Sequence, residues 1–131
     1  RAKVLVDQYD KIVVLDTLHA DGSYTLGENI ADQGGLLVSY QAYMNTLKDK
    51  EEPADIDGFT DNQRFYLGYA NLWAQNLRPQ EIMRRTKTDV HSLGKWRVNA
   101  ALKNIDDFYK AFDIKEGDAM YIAPEERINI W

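Results

Sequence analysis

Glu28 and Asp32 stand four residues apart, inside the string Leu26-Gly27-Glu28-Asn29-Ile30-Ala31-Asp32-Gln33-Gly34-Gly35-Leu36. Residues at that spacing share one face of a helix. Two carboxylates on one face can bind a cation, brace a histidine that binds one, or sit in solvent near a helix N-terminus, where the macrodipole favours negative charge. Spacing alone favours the solvated pair. The glycines and apolar residues around it point the other way, to a buried face, and a buried carboxylate needs a cation or a metal as partner. A second cluster, Lys87-Thr88-Asp89-Val90-His91-Ser92-Leu93-Gly94-Lys95-Trp96-Arg97-Val98, offers an imidazole and a guanidinium. Taken singly, a loop histidine is most often a surface group. An arginine beside a tryptophan most often pairs with an acid or stacks on a ring.

The metal chemistry closest to these groups is hydrolytic zinc. A catalytic zinc takes three protein ligands and keeps one position open. In many peptidases two of the three come from His-Glu-x-x-His on a helix, whose inner Glu is the general base. The chain contains only His19 and His91, far apart, and no such motif. It therefore cannot build that site alone.

The elements that position these clusters read as mainly helical. Residues 1–10 read as the end of a helix, Ile12-Val13-Val14-Leu15 as a short β run, and Asp21-Gly22 as a turn. The longest helix is predicted over 26–48, with Ile30, Gly34, Leu37, Tyr40, Met44 and Leu47 on its inward stripe. Gly34-Gly35 would weaken a free helix, so the pair predicts close approach by another backbone. A polar loop follows at 49–61. Further helices are predicted over 62–77, with Phe65, Tyr69, Leu72, Trp73 and Asn76 along one face; over 79–86, opened by Pro79; and over 105–112, capped by Asn104. Residues 88–100 read as irregular. The expectation is about four helices plus a short β element in one partial domain over 1–131.

Composition excludes several classes. The net charge of −5 and the lack of a basic stripe argue against a nucleic-acid surface. No cysteine is present, so disulfides and thiolate metal sites are ruled out. No run approaches the roughly 20 apolar residues of a membrane span. The chain opens on Arg1, so the absence of a signal peptide leaves the compartment open among periplasmic, cell-surface, secreted and cytoplasmic placement.

Together the segments resemble the neprilysin/endothelin-converting-enzyme (PepO-like) family of zinc metalloendopeptidases. Its members carry a Gly-Glu-Asn-Ile-Ala-Asp segment, then Lys-Thr-Asp-x-His-Ser-x-Gly-x-aromatic-Arg-Val, then a C-terminal Trp, here Trp131. The resemblance covers essentially the whole chain. It implies the C-terminal portion of a thermolysin-like (zincin) catalytic lobe, with the His-Glu-x-x-His helix upstream. It implies that Glu28 is the third zinc ligand and that Asp32 orients a zinc-bound histidine. His91 matches the residue that stabilises the oxyanion, and Arg97 the one that holds a substrate carbonyl. Leu72 and Trp73 fall where the family lines the pocket for the side chain after the cleaved bond, although a helix-core role fits them equally well. Ala74, Asp113 and Ile128 fall near positions where animal members carry cysteines, which suggests a bacterial-type member.

The implied partners are a peptide substrate, cut before bulky apolar residues, and the remainder of the same catalytic domain. The alternative is a non-catalytic helical fragment or binding module with no zinc of its own. Such a fragment is predicted to be inactive, and to form homo-oligomers through the face it leaves uncovered. His19 reads as structural.

Overall fold

A computed structural model of the chain describes residues 1–130; the family's terminal Trp131 lies outside the described residues. Among these residues, six α-helices and one hairpin follow in order, with a 3-10 turn at Pro124–Glu126 near the end. They are α1 (Ala2–Asp10), β1 (Val13–Leu15), β2 (Leu18–His19), α2 (Leu26–Leu47), α3 (Asp61–Leu72), α4 (Pro79–Thr88), α5 (Gly94–Leu102) and α6 (Asp106–Phe112). β1 and β2 pair antiparallel, with Val13 opposite His19. His19 Nδ1 lies 2.9 Å from the Asp10 carbonyl, a local contact that fits its structural reading.

The 22-residue α2 is the spine. Helices α1 and α5 pack on it, and α3 packs on α6. The main core joins Leu36, Tyr66, Val98, Leu102, Ile105, Phe108 and Tyr109. A smaller cluster of Leu5, Tyr9 and Ala100 sits beneath the start of α2, against Leu26 and Ile30. Thr60 caps α3: its side chain accepts from the Gln63 N–H, and the Gln63 side chain accepts from the Thr60 N–H. That reciprocal arrangement satisfies two donors at the helix start.

Several sequence expectations are corrected. The segment read as irregular, 88–100, contains most of α5. Gly94, Val98, Ala100, Ala101 and Leu102 are all buried, so the helix is covered nearly all round and shows no one-sided stripe. Helix α3 ends at Leu72, five residues early, and Trp73 is its C-cap. Asn104 is not the cap of α6; Ile105 is. Asn104 is instead buried and spans three segments. It donates to Gln8 Oε1 (2.8 Å) and the Ala100 carbonyl (3.1 Å), and accepts from the Ile128 N–H (2.9 Å).

The most buried residues of α2 are Asn29, Gln33, Gly34 and Leu36, so the buried face is centred about one residue earlier than the expected stripe and carries two amides. Gln33 donates to the Ile128 carbonyl, which ties α2 to the C-terminal tail. Gly35 has open space around it. Gly34 beside it is buried. Close backbone approach is seen at Gly94, where a Cβ would stand 2.5 Å from the Trp73 carbonyl oxygen, and at Gly22, against the Val6 carbonyl. No helix among the described residues is long and apolar enough to cross a membrane.

Candidate active site

Helix α2 presents Glu28 and Asp32 on one face, as their spacing predicts. Their surroundings differ. The Asp32 side chain is only 10% exposed, whereas that of Glu28 is 41% exposed. The buried-face expectation thus holds for Asp32 and fails for Glu28, which stands at the open edge one turn earlier.

Asp32 meets Arg97 of α5 across 65 residues of sequence. Arg97 Nε donates to Asp32 Oδ2 and Nη2 to Oδ1, both at 2.6 Å. This is the two-pronged match that a planar guanidinium makes with a carboxylate. The Trp73 ring supports the guanidinium from one side, its centroid 3.8 Å from the central carbon. The Tyr69 hydroxyl donates to the Arg97 carbonyl at 3.1 Å. The hydrogen bonds to Asp32 hold the Arg97 pKa above its usual value. Burial, then the Asp32 charge, pushes the Tyr69 hydroxyl up to about 12.

His91 lies in the loop between α4 and α5. Its Nδ1 stands 2.8 Å from Asp89 Oδ1, and its Nε2 stands 3.2 Å from Glu28 Oε2. Each ring nitrogen therefore faces a carboxylate oxygen. Asp89 also accepts from the His91 backbone N–H at 3.0 Å. That bond, then the one from the ring, lowers the Asp89 pKa. The sequence reading did not assign Asp89 a role. Its place two residues before His91, where a short side chain reaches the backbone N–H two residues on, is the signal that could have found it.

The four residues singled out from sequence thus come together as two interlocked pairs, Glu28 with His91 and Asp32 with Arg97. Beside them lies an open cavity of about 420 Å³, lined by Leu72, Trp73, Ala74, Gln75, Arg85, Asp89, His91, Ser92, Leu93, Gly94 and Arg97. Its size falls within the range of ligand pockets. Leu72 is 75% exposed at its edge, which removes the helix-core reading for that residue. Trp73 remains partly buried against the main core.

Among the described residues, no three His, Cys, Asp or Glu side chains come together as a metal site. What the chain offers is one carboxylate, Glu28, exposed and free of any arginine or lysine bond among those described. That donor fits a single ligand position of a zinc ion, with the other protein ligands supplied from elsewhere.

Comparison with known proteins places these features in a family. The sequence pattern of peptidase family M13 matches residues 1–128. Human neprilysin is 39% identical over 115 residues, covering 86% of this chain and 15% of that protein. Neprilysin-21 of Caenorhabditis elegans is 35% identical over 137 residues, covering 100% of this chain and 18% of that protein. Among solved structures, the zinc metalloprotease ZMP1 of Mycobacterium tuberculosis in complex with an inhibitor superposes with a TM-score of 0.95 at 38% identity. The match covers 99% of this chain and 20% of that one. PEPO from Lactobacillus rhamnosis gives 0.80 at 31% identity, covering 99% of this chain and 19% of that one. The chain therefore spans about a fifth or less of the length of these relatives. Its fold is that of the corresponding part of a neprilysin-type, thermolysin-like catalytic domain. By sequence and by fold, the chain belongs to peptidase family M13.

Proposed function

We propose that the intact protein is a zinc-dependent endopeptidase and that this chain supplies the carboxylate ligand and the substrate-handling half of its active site. One observation carries the reading. Two segments about sixty residues apart bring Glu28, Asp32, His91 and Arg97 together beside an open cavity of about 420 Å³. The membership of the chain in a peptidase family supports the same reading.

The residues divide the work as follows. Glu28 holds the zinc, together with two histidines from the remainder of the catalytic domain. When bound, that ion supplies Lewis acidity to the scissile carbonyl and to water. Asp32 is a fixed acceptor that orients one of those histidines while it pins Arg97. Arg97 spends Nε and Nη2 on Asp32 and keeps its Nη1 edge for the substrate carbonyl next to the cleaved bond. With Asp89 holding Nδ1–H, His91 turns Nε2–H to the developing oxyanion. Leu72 and Trp73 form one wall of the pocket for a bulky apolar side chain after the cleaved bond.

The test uses the full-length protein. Glu28→Gln keeps the shape but loses the anionic ligand, and is expected to abolish zinc binding and peptide cleavage together. His91→Ala is expected to lower turnover by about 10²–10³ with zinc retained, the usual loss on removing an oxyanion donor. Loss of the metal from His91→Ala would make His91 a ligand and overturn its assigned role. Taken alone, this chain is expected to hold no stoichiometric zinc after dialysis; retention through Glu28 would show that its site is complete.

A further inference from the structure

Next to each member of the Glu28–His91 pair sits a buried polar residue that the mechanism above does not use. Asn29 follows Glu28 and is 1% exposed; Ser92 follows His91 and is 9% exposed. The Ser92 hydroxyl donates to Asn29 Oδ1 at 2.8 Å, across 63 residues of sequence. Asn29 Nδ2 donates to Thr25 Oγ1 at 2.9 Å, and Thr25 Oγ1 donates to the Asp21 carbonyl at 2.8 Å.

The direction of this relay is determined. The one hydroxyl proton of Thr25 goes to a backbone carbonyl, so Thr25 can only accept from Asn29. That turns the Asn29 amide nitrogen toward Thr25 and its oxygen toward Ser92. The relay ends on Asp21, whose side chain accepts from the Tyr24 N–H at 2.7 Å and holds the turn before α2. Every buried polar group in it has a partner, and none of them is charged.

We propose that Asn29 and Ser92 are positioning residues whose buried hydrogen bond sets the separation of the His91 loop from Glu28. The His91 loop is tied to α2 at two levels. Arg97 and Asp32 join them one turn further along α2, through α5. At the level of Glu28 itself, the buried Asn29–Ser92 bond joins them beneath the 3.2 Å contact of His91 Nε2 with Glu28 Oε2, which lies at the half-exposed edge. Without it the His91 segment pivots on the Arg97–Asp32 pair, and His91 loses its register to the substrate while Glu28, carried by the helix, stays in place. The bond is neutral, so its hold does not change across the pH range in which histidines and carboxylates titrate. The consequence for turnover rests on the peptidase reading; the tethering itself does not.

The experiment compares Ser92→Ala and Ser92→Thr with the unsubstituted full-length protein. Losing one neutral hydrogen bond is worth about 3–10-fold, so Ser92→Ala is expected to lower kcat by that factor. KM and zinc content should stay close to those of the parent, with kcat normalised to active sites titrated by a tight inhibitor. Ser92→Thr keeps the hydroxyl and is expected to recover most of the loss. Amide hydrogen exchange, read on the same proteins, should quicken across residues 89–93 in Ser92→Ala and stay unchanged in α6. Unchanged exchange at 89–93 overturns the inference whether or not the protein is a peptidase. So does an unchanged kcat, or an equal loss in the Thr and Ala variants. A parent protein that binds no zinc and cuts no peptide refutes the proposed function instead, and leaves the exchange result to decide the tether.

Discussion

Replacing Asp32 by Asn tests the best-built contact of the site. The substitution keeps the shape and removes the charge. Arg97 is then left only 12% exposed with no carboxylate, its pair of 2.6 Å bonds reduced to one that it donates to a neutral amide oxygen. Removing one partner of a buried ion pair typically costs about 3–5 kcal/mol, because the other charge stays desolvated. Both side chains keep a little water contact, and Trp73 still stacks on the guanidinium, so the lower end, about 3 kcal/mol, is expected. Arg97→Gln strands Asp32 in the same way and should cost a similar amount. The double variant, Asp32→Asn with Arg97→Gln, carries no charge and can form one amide–amide hydrogen bond. It should cost well under the sum of the singles, with a coupling of at least about 2 kcal/mol. Urea unfolding of the chain followed by circular dichroism gives all three values by linear extrapolation. Additivity to within about 0.5 kcal/mol would mean that the two groups do not act as a pair, and would refute the reasoning.

Three further outcomes follow from the same geometry. Leu72→Ala should leave stability within about 0.5 kcal/mol, as expected of an exposed position. In the full-length protein the same change should cut the preference for bulky over small apolar residues after the cleaved bond by about tenfold, read as kcat/KM ratios on matched peptides. Trp73→Leu should slow turnover as well as alter preference, because it removes the plate under Arg97; a change in KM alone would assign Trp73 to the pocket wall only. At high pH the tyrosines decide stability. Tyr9, Tyr66 and Tyr69 are all raised above the ordinary value of 10, Tyr69 to about 12, with burial as the main cause. The folded state therefore favours the neutral phenols. Their contribution is intact below pH 10 and is lost as pH rises toward 12, so tyrosinate absorbance and unfolding should appear together there.

How much of this was legible in the sequence depended on where each signal lived. Helices α2, α4 and α6 were readable because their apolar residues recur on one side or because Pro79 opens the turn. Helix α5 was hidden by its own burial: a helix covered by α2, the core and the tail does not show an amphipathic stripe. Asn104 looked like a cap because short polar residues favour caps, and nothing local reveals that Gln8 and Ile128 would reach it first. At the site, Glu28, Asp32, His91 and Arg97 were singled out by the family resemblance of their two segments, where residue types and spacing alone favoured solvated or surface groups. Their pairing did not follow from the order. That Arg97 answers Asp32 while His91 answers Glu28 depends on α5 lying along α2, which only the fold supplies. Asp89 went unassigned because an aspartate before a histidine is common, and its value appears only once the ring is seen to lean on it.

The tail at 122–128 is fastened at several points. Gln33 and Asn104 hold Ile128, Gln8 donates to the Glu126 carbonyl, and Tyr109 accepts from the Ile122 N–H while Arg127 lies over its ring. This gives the chain an order of assembly during synthesis. Domains tend to fold as their residues emerge from the ribosome. Here Gln33 has to wait for the Ile128 carbonyl, made about a hundred residues after α2 begins, and Asn104, already bonded to Gln8 and Ala100, gains the Ile128 N–H last. Until residue 128 is out, α2 and α5 can meet, but the meeting leaves the buried Gln33 amide without its bond to the tail. A chain released at residue 120 should therefore form its helices but leave Gln33 without the bond that ties α2 to the tail. A premature stop at that point should yield a product that proteases clear, rather than a shortened version of the same fold.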